Sequence, residues 1–97
     1  MKISLSPEAE QELVEGALYY AREANAELGH AFVTEFARSA TLLQEQPRLG
    51  APWRGQIRRL PLRRFPYSIV YHLSGSEVRV LAVAHQRRKP GFWRGRT

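Results

Sequence analysis

The hydrophobic spacing of this chain changes once, and that change constrains its fold more than any other feature. Up to Gln46, apolar residues recur at steps of three and four. The first series is Ala9, Leu13, Ala17 and Tyr20, widened by Val14 and Leu18. The second is Leu28, Phe32, Phe36, Ala40 and Leu43, flanked by Val33 and Leu42. This is the period of a helix buried along one stripe. Ser6 can cap the free amides of the first helix, Pro7 suits its first turn, and the early Glu residues favour its positive end. Asn25 separates the two series, and Pro47 and Gly50 stop the second, which runs from about Ala26 to Gln46. So short a joint implies an antiparallel hairpin.

Beyond Pro47 the period falls to two. The segment from Pro47 to Gln56 reads as a loop. Ile57-Arg58-Arg59-Leu60 reads as a strand, with Pro61 marking an edge or bulge. Tyr67 to Leu73 and Glu77 to Ala84 read as two more strands, joined by a tight turn at Ser74-Gly75-Ser76. Lys2-Ile3-Ser4-Leu5 alternates in the same way and adds a short opening strand. In the last strand one parity set is Val78, Val80, Ala82 and Ala84, and the other is Arg79, Leu81, Val83 and His85. Both carry apolar residues, so both sheet faces are expected to be covered. The helix hairpin can cover one, and the tail or a partner the other. The expected fold is α+β: an N-terminal strand and a two-helix hairpin packed on a small, mainly antiparallel sheet of three C-terminal strands plus the first. At 97 residues, the whole chain, 1–97, is expected to be one domain.

Several chemistries lack their residues. There is no cysteine, so no disulfide framework or thiolate metal site is expected, and a reducing cytoplasm is the expected compartment. No apolar run reaches the roughly 20 residues that span a bilayer, and the opening turns polar too soon for a signal peptide. There is no phosphate-binding glycine loop or dinucleotide fingerprint. His30, His72 and His85 lie far apart, so no metal site is expected, and no cofactor is implied. Glu77 is the sole acid of the second half, which leaves serine–histidine–acid catalysis without support. Glu8, Glu12 and Glu15 read as an exposed helix face.

Charge divides the chain in two. Residues 1–45 hold eight acids and three bases, a net of −5, whereas residues 46–97 hold twelve bases against Glu77, a net of +11. Eleven of those bases are Arg, whose planar fork binds phosphate and carboxylate. This half should attract a polyanion or an acidic partner segment. The densest part is Ala84-His85-Gln86-Arg87-Arg88-Lys89-Pro90-Gly91-Phe92-Trp93-Arg94-Gly95-Arg96. His85 closes a strand, Arg87 and Arg88 follow at once, and Trp93 is either a flat contact surface or a lid folded over the sheet.

Three pieces of sequence carry a resemblance. The first is Tyr19-Tyr20 ahead of Leu28-Gly29 and Phe32. The second is Pro47-Arg48-Leu49-Gly50 leading to Arg64-Phe65-Pro66-Tyr67-Ser68-Ile69-Val70-Tyr71. The third is Ala82 to Pro90, closed by Phe92-Trp93. In this order and spacing they resemble the ParE/RelE superfamily of toxins from type II toxin–antitoxin systems, and the ParE-like, plasmid-stabilisation branch most closely. The resemblance implies a cytoplasmic growth inhibitor held inactive by a cognate antitoxin, whose acidic segment folds on the toxin. Its ParE-type members poison DNA gyrase with no established catalytic residue. By that reading Arg87, Arg88 and Trp93 contact the target, supported by a basic surface of Arg58, Arg63 and Arg64. The alternative is a RelE-like enzyme that cleaves mRNA in the ribosome. For it His85 would transfer a proton and Arg87 or Arg88 would supply the cation, and the second proton-transfer group is missing unless Tyr67 or Tyr71 serves. The chain departs from that pattern twice. Ser68 follows Tyr67 where such ribonucleases often carry Arg, and Phe92 and Trp93 stand where they tend to end in a catalytic Tyr.

Overall fold

A computed structural model describes residues 1–88 and 91–96 of the chain. The chain runs β1 (Lys2–Leu5), α1 (Pro7–Glu23), α2 (Ala26–Glu45), β2 (Ala51–Arg54), β3 (Ile57–Pro61), β4 (Tyr67–Ser74) and β5 (Glu77–His85). Both helix starts follow their capping residues. The Ser6 hydroxyl accepts the Ala9 amide at 3.0 Å, and the Asn25 side chain accepts the Leu28 amide at 2.8 Å. Each satisfies one of the amides that a helix start leaves without a partner.

The sheet has five strands in the order β1-β5-β4-β3-β2. It is mixed: β1 runs parallel to β5 and the other pairs are antiparallel. The fifth strand, β2, lies in the segment whose Pro and Gly content reads as a loop. Its four residues are all exposed, so no buried alternation marks it. It exists because β3 offers it a ladder, Ala51 facing Arg59 and Pro52 facing Arg58.

The helix hairpin packs on one face of the sheet. Ala9, Phe32, Phe36 and Leu43 meet Ile69, Tyr71, Val78, Val80 and Val83 there, with Leu62 and Phe65 closing the side. The two helices approach closely at two glycines: a Cβ on Gly29 would sit 2.7 Å from the Ala17 carbonyl oxygen, and one on Gly16 2.6 Å from the Phe32 ring. The apolar stripes are narrower than the spacing implies. Val14 and Leu18 are 56% and 51% exposed, and Val33 is exposed as well, so these three face outward rather than widening the core.

The parity sets of β5 are also corrected. Val78 and Val80 face the helices, and so does Val83, whereas Leu81, Ala82 and Ala84 belong to a second cluster on the opposite face. The ladder with β4 shifts here, from Tyr71 facing Val80 to Val70 facing Ala82. Leu81 is the extra residue of this β-bulge, and a bulge exchanges the faces of all that follows it. It falls where β5 loses β1. That strand ends at Leu5, Ser6 turns into the helix cap, and the Ser6 hydroxyl donates to the Leu81 carbonyl at 3.0 Å.

Candidate functional site

β5 ends at His85, and a turn reverses the chain there. Arg88 donates its amide to the His85 carbonyl at 3.0 Å, and the Arg87 amide donates to His85 Nδ1 at 3.1 Å. Lys89 and Pro90, part of the C-terminal motif, lie outside the described residues. Residues 91–96 then fold back as a strap over the second sheet face. Gly91 and Gly95 take positive φ there, which only glycine adopts without strain.

The strap is anchored by Trp93. Its ring packs with Val70, Leu81, Ala82 and Ala84 and is 5% exposed. Of the two readings of this residue, the lid is the one the structure adopts. The flat surface that a partner could have met is spent on the sheet, where the packing takes apolar area of both the ring and the face out of water. Phe92 lies beside it under two guanidinium groups, those of Arg88 at 3.8 Å and Arg96 at 5.0 Å from the ring centroid.

Glu12 overturns its expected place on an exposed helix face. Its side chain is 14% exposed. Oε1 accepts the Val83 amide at 3.0 Å and Arg96 Nη1 at 2.9 Å, and Oε2 stands 3.8 Å from Arg88 Nη1. Arg96 also donates to the Leu81 carbonyl at 3.2 Å. One carboxylate thus joins α1, the edge of β5 that β1 does not reach, and the strap. A β5 amide without a β1 partner needs an acceptor, and Glu12 supplies it from one turn past the helix start.

The other residues expected at a site are divided between faces. Tyr67 and His85 are cross-strand partners with ring centroids 5.2 Å apart. Tyr67 packs with the helix-side core, and burial raises its phenol above the ordinary tyrosine range, with Tyr20 and Tyr19 adding to the effect. Arg58 faces Tyr71 in the register and donates to the carbonyls of Arg48 at 3.0 Å and Gly50 at 2.8 Å. It therefore pins the β2 approach instead of joining Arg88. Arg63 and Arg64 lie in the β3–β4 connection on the helix side. The Arg63 amide donates to Glu35 Oε2 at 2.8 Å. Arg38 grips the same carboxylate with two bonds, and chiefly for that reason the Glu35 carboxyl sits below its ordinary range despite partial burial. Arg64 takes a left-handed φ of 71° and turns toward the Phe65 ring.

Arg59, opposite Val70, lies on the second face. It leans on Trp53 of β2 at 5.6 Å. Together with Arg88, Phe92 and Trp93 these residues border a slot floored by Ser68, Val70 and Ala84. Alternation along β3 states that Arg58 and Arg59 point oppositely, but not which one meets Arg88. The signal for Trp53 is absent, because its strand is not legible.

The chain matches the family model described as ParE toxin of type II toxin-antitoxin system, parDE, over residues 3–90. Among solved structures it is similar to a chain described as "Chromosomal ParDE TA system from P. aeruginosa", with a TM-score of 0.77 and 22% identity, covering 88% of this chain and 95% of that one. At that identity the likeness shows the fold. No curated protein matches the chain.

Proposed function

The chain belongs to the ParE toxin family of type II toxin–antitoxin systems, and from that premise we propose that it arrests growth by binding DNA gyrase and is neutralised by a cognate antitoxin. The observation that carries the binding reading is the rim at the end of β5. Arg87 and Arg88 are exposed on a turn held by His85, and Arg88 is kept in place by Phe92 below it and Glu12 beside it. A guanidinium stacked on a ring retains its in-plane N–H groups for a carboxylate or phosphate.

A supercoiling assay with purified protein tests this. Gyrase should be inhibited at micromolar protein, and the Arg87→Glu, Arg88→Glu double variant should lose inhibition while keeping its melting temperature. Absence of inhibition together with a block in translation would reject gyrase as the target.

One observation favours the RelE-like alternative, the contact between the His85 and Tyr67 rings. That contact supports the pairing of the two groups this alternative would need for proton transfer. Against it, Arg88, which borders the same slot as His85, is turned to the Phe92 ring and to Glu12, while Tyr67 packs with the helix-side core. His85→Ala separates the two readings. Loss of growth arrest with fold and antitoxin binding intact supports the enzyme, and full growth arrest removes it.

The strap occupies the sheet face that either the tail or a partner was expected to cover, so an antitoxin needs other apolar ground. The outward side of the helix hairpin supports one placement. Val14, Leu18, Tyr19 and Val33 are exposed there, and Leu18 and Val33 border a groove over Ala17, Ala21 and Gly29. In this reading an amphipathic helix seats in the groove, while an acidic segment reaches the cationic rim and makes association weaken with salt.

A further inference from the structure

The geometry points to a second copy of this chain as the partner of the hairpin's outward face in the free protein. Two hairpins pack face to face about a two-fold axis near Leu18, with α1 antiparallel to its counterpart. This rests on the spacing of residues along α1 and not on the target or the antitoxin.

The outward face of α1 carries a stripe that the core does not use. Gln11, Val14, Leu18 and Ala21 recur at steps of three, four and three, the spacing of a helix that packs along a seam against another helix. Gln11, Val14 and Leu18 are exposed, and Ala21 is half-buried. On α2, Ala26, Gly29 and Val33 continue the same face across the groove that Leu18 and Val33 border. The groove residues between them are mostly small, so a second pair of helices can approach closely. Two hairpins joined here make a four-helix bundle, in which Leu18 and Val33 of each copy cover the groove of the other.

Charge selects the partner and its direction. Glu15 and Arg22 flank the stripe seven residues apart, so they hold the same place in the helical repeat. In an antiparallel pair related by a two-fold, equivalent places at equal distances on either side of the axis meet on one flank. With the axis between Leu18 and Tyr19, the Glu15 of each copy meets the Arg22 of the other. Both residues are exposed. Glu15 Oε2 accepts the neutral Gln11 amide at 3.1 Å, which leaves the charge and the second oxygen available. Among the described residues Arg22 has no acid within ion-pair distance. A uniformly acidic segment would be repelled by Glu15 and a uniformly basic one by Arg22, whereas a reversed copy satisfies both.

Size sets the strength. The 17 residues of α1 make the face about 25 Å long at 1.5 Å per residue. Two helices about 10 Å apart make it about 20 Å wide. This patch of about 500 Å² is smaller than the roughly 800 Å² per partner of a standard interface. Glu10, Glu23 and Glu27 add like charge around it, largely screened at physiological salt. The dimer is therefore weak, half-formed at roughly 10–100 µM, and an antitoxin helix seated in the same groove would displace the second copy.

Sedimentation equilibrium of the full chain, alone and at physiological salt, tests this from micromolar to millimolar protein. The mass should rise from monomer to dimer and stop there. Leu18→Glu should abolish the rise. Glu15→Arg should weaken association by roughly tenfold, because it turns attraction into repulsion at two symmetric pairs, each small by itself. The double exchange Glu15→Arg, Arg22→Glu should restore it. All three side chains are exposed, and thermal melts check that the variants keep the fold. The proposal is overturned by a chain that stays monomeric throughout, which would leave this face to the antitoxin helix. It is equally overturned by association that Leu18→Glu leaves unchanged, by growth beyond the dimer, or by a double exchange no better than Glu15→Arg alone. None of these results depends on gyrase inhibition or antitoxin binding.

Discussion

Removing the Glu12 carboxylate should damage this fold far more than a helix-surface substitution ordinarily does. In Glu12→Ala the Val83 amide, which now donates at 3.0 Å, loses its acceptor at a strand edge already without β1. A buried or half-buried donor left unpaired costs about 1–3 kcal/mol. The Arg96 contact at 2.9 Å goes as well, between side chains only 15% and 14% exposed. A charge-assisted bond of this kind contributes about 1.5–3 kcal/mol, reduced here because Arg96 keeps the Leu81 carbonyl. Alanine's better helix propensity returns a few tenths of a kcal/mol, at about 0–0.7 kcal/mol per ordinary residue. The two losses share one carboxylate and do not add fully, so the net is about 2–3 kcal/mol. For a domain of this size that is a fall in Tm of roughly 10–20 °C. Glu12→Gln, which keeps an oxygen for Val83 but no charge for Arg96, should lose about half as much. Urea unfolding followed by circular dichroism measures all three proteins, and a Glu12, Arg96 double-mutant cycle should return a coupling of about 1 kcal/mol. If Glu12→Ala lies within about 0.5 kcal/mol of the parent, the ordinary range of a surface change, the reasoning from this carboxylate to the strap and the β5 edge is wrong.

Three further outcomes follow from the packing. Tyr71→Phe should cost about 1–3 kcal/mol by urea unfolding, because the fully buried phenol donates to the Pro47 carbonyl at 2.7 Å and accepts the Gly50 amide at 2.9 Å. Gly29→Ala should destabilise in thermal melts even though Ala is favoured in a helix by about 1 kcal/mol, since its Cβ would meet backbone of α1 2.7 Å away. Stability should fall at alkaline pH. Burial raises the phenols of Tyr71, Tyr67 and Tyr20 above 10.0, so the unfolded chain releases these protons first. Their contribution is complete below that value and is lost as pH rises toward the folded-state pKa values. A phenolate absorbance titration in which these groups titrate near their ordinary pKa in the folded protein would contradict this.

Much of the fold is legible in residue spacing because burial is periodic along the chain. The cap at Ser6, the break at Asn25 and the stripe through Phe32, Phe36 and Leu43 are local facts of helix geometry. The limits are equally particular. Val14 and Leu18 satisfy the helical period as well as Leu13 does, but they lie on the outward side of the hairpin. Strand β2 carries no buried alternation to read, and the bulge at Leu81 is created by where β1 ends. At the candidate site, His85, Arg87 and Arg88 are legible as a dense cluster after a strand. Glu12 is not, because its partners Val83 and Arg96 lie more than seventy residues away.

The amino-acid sequence by itself determined the two helices, their hairpin, the apolar strands β4 and β5 and the cationic second half, all of which depend on neighbours a few residues apart. The tertiary structure alone decided that Trp93 closes the second sheet face, that Arg59 and not Arg58 stands with Arg88, and that Glu12 joins a strand edge to the strap. Each of these is a choice of partner across the fold. Alternation gives a residue two possible faces, and only the packing of β1, the helices and the strap determines which face is buried and what each charge meets.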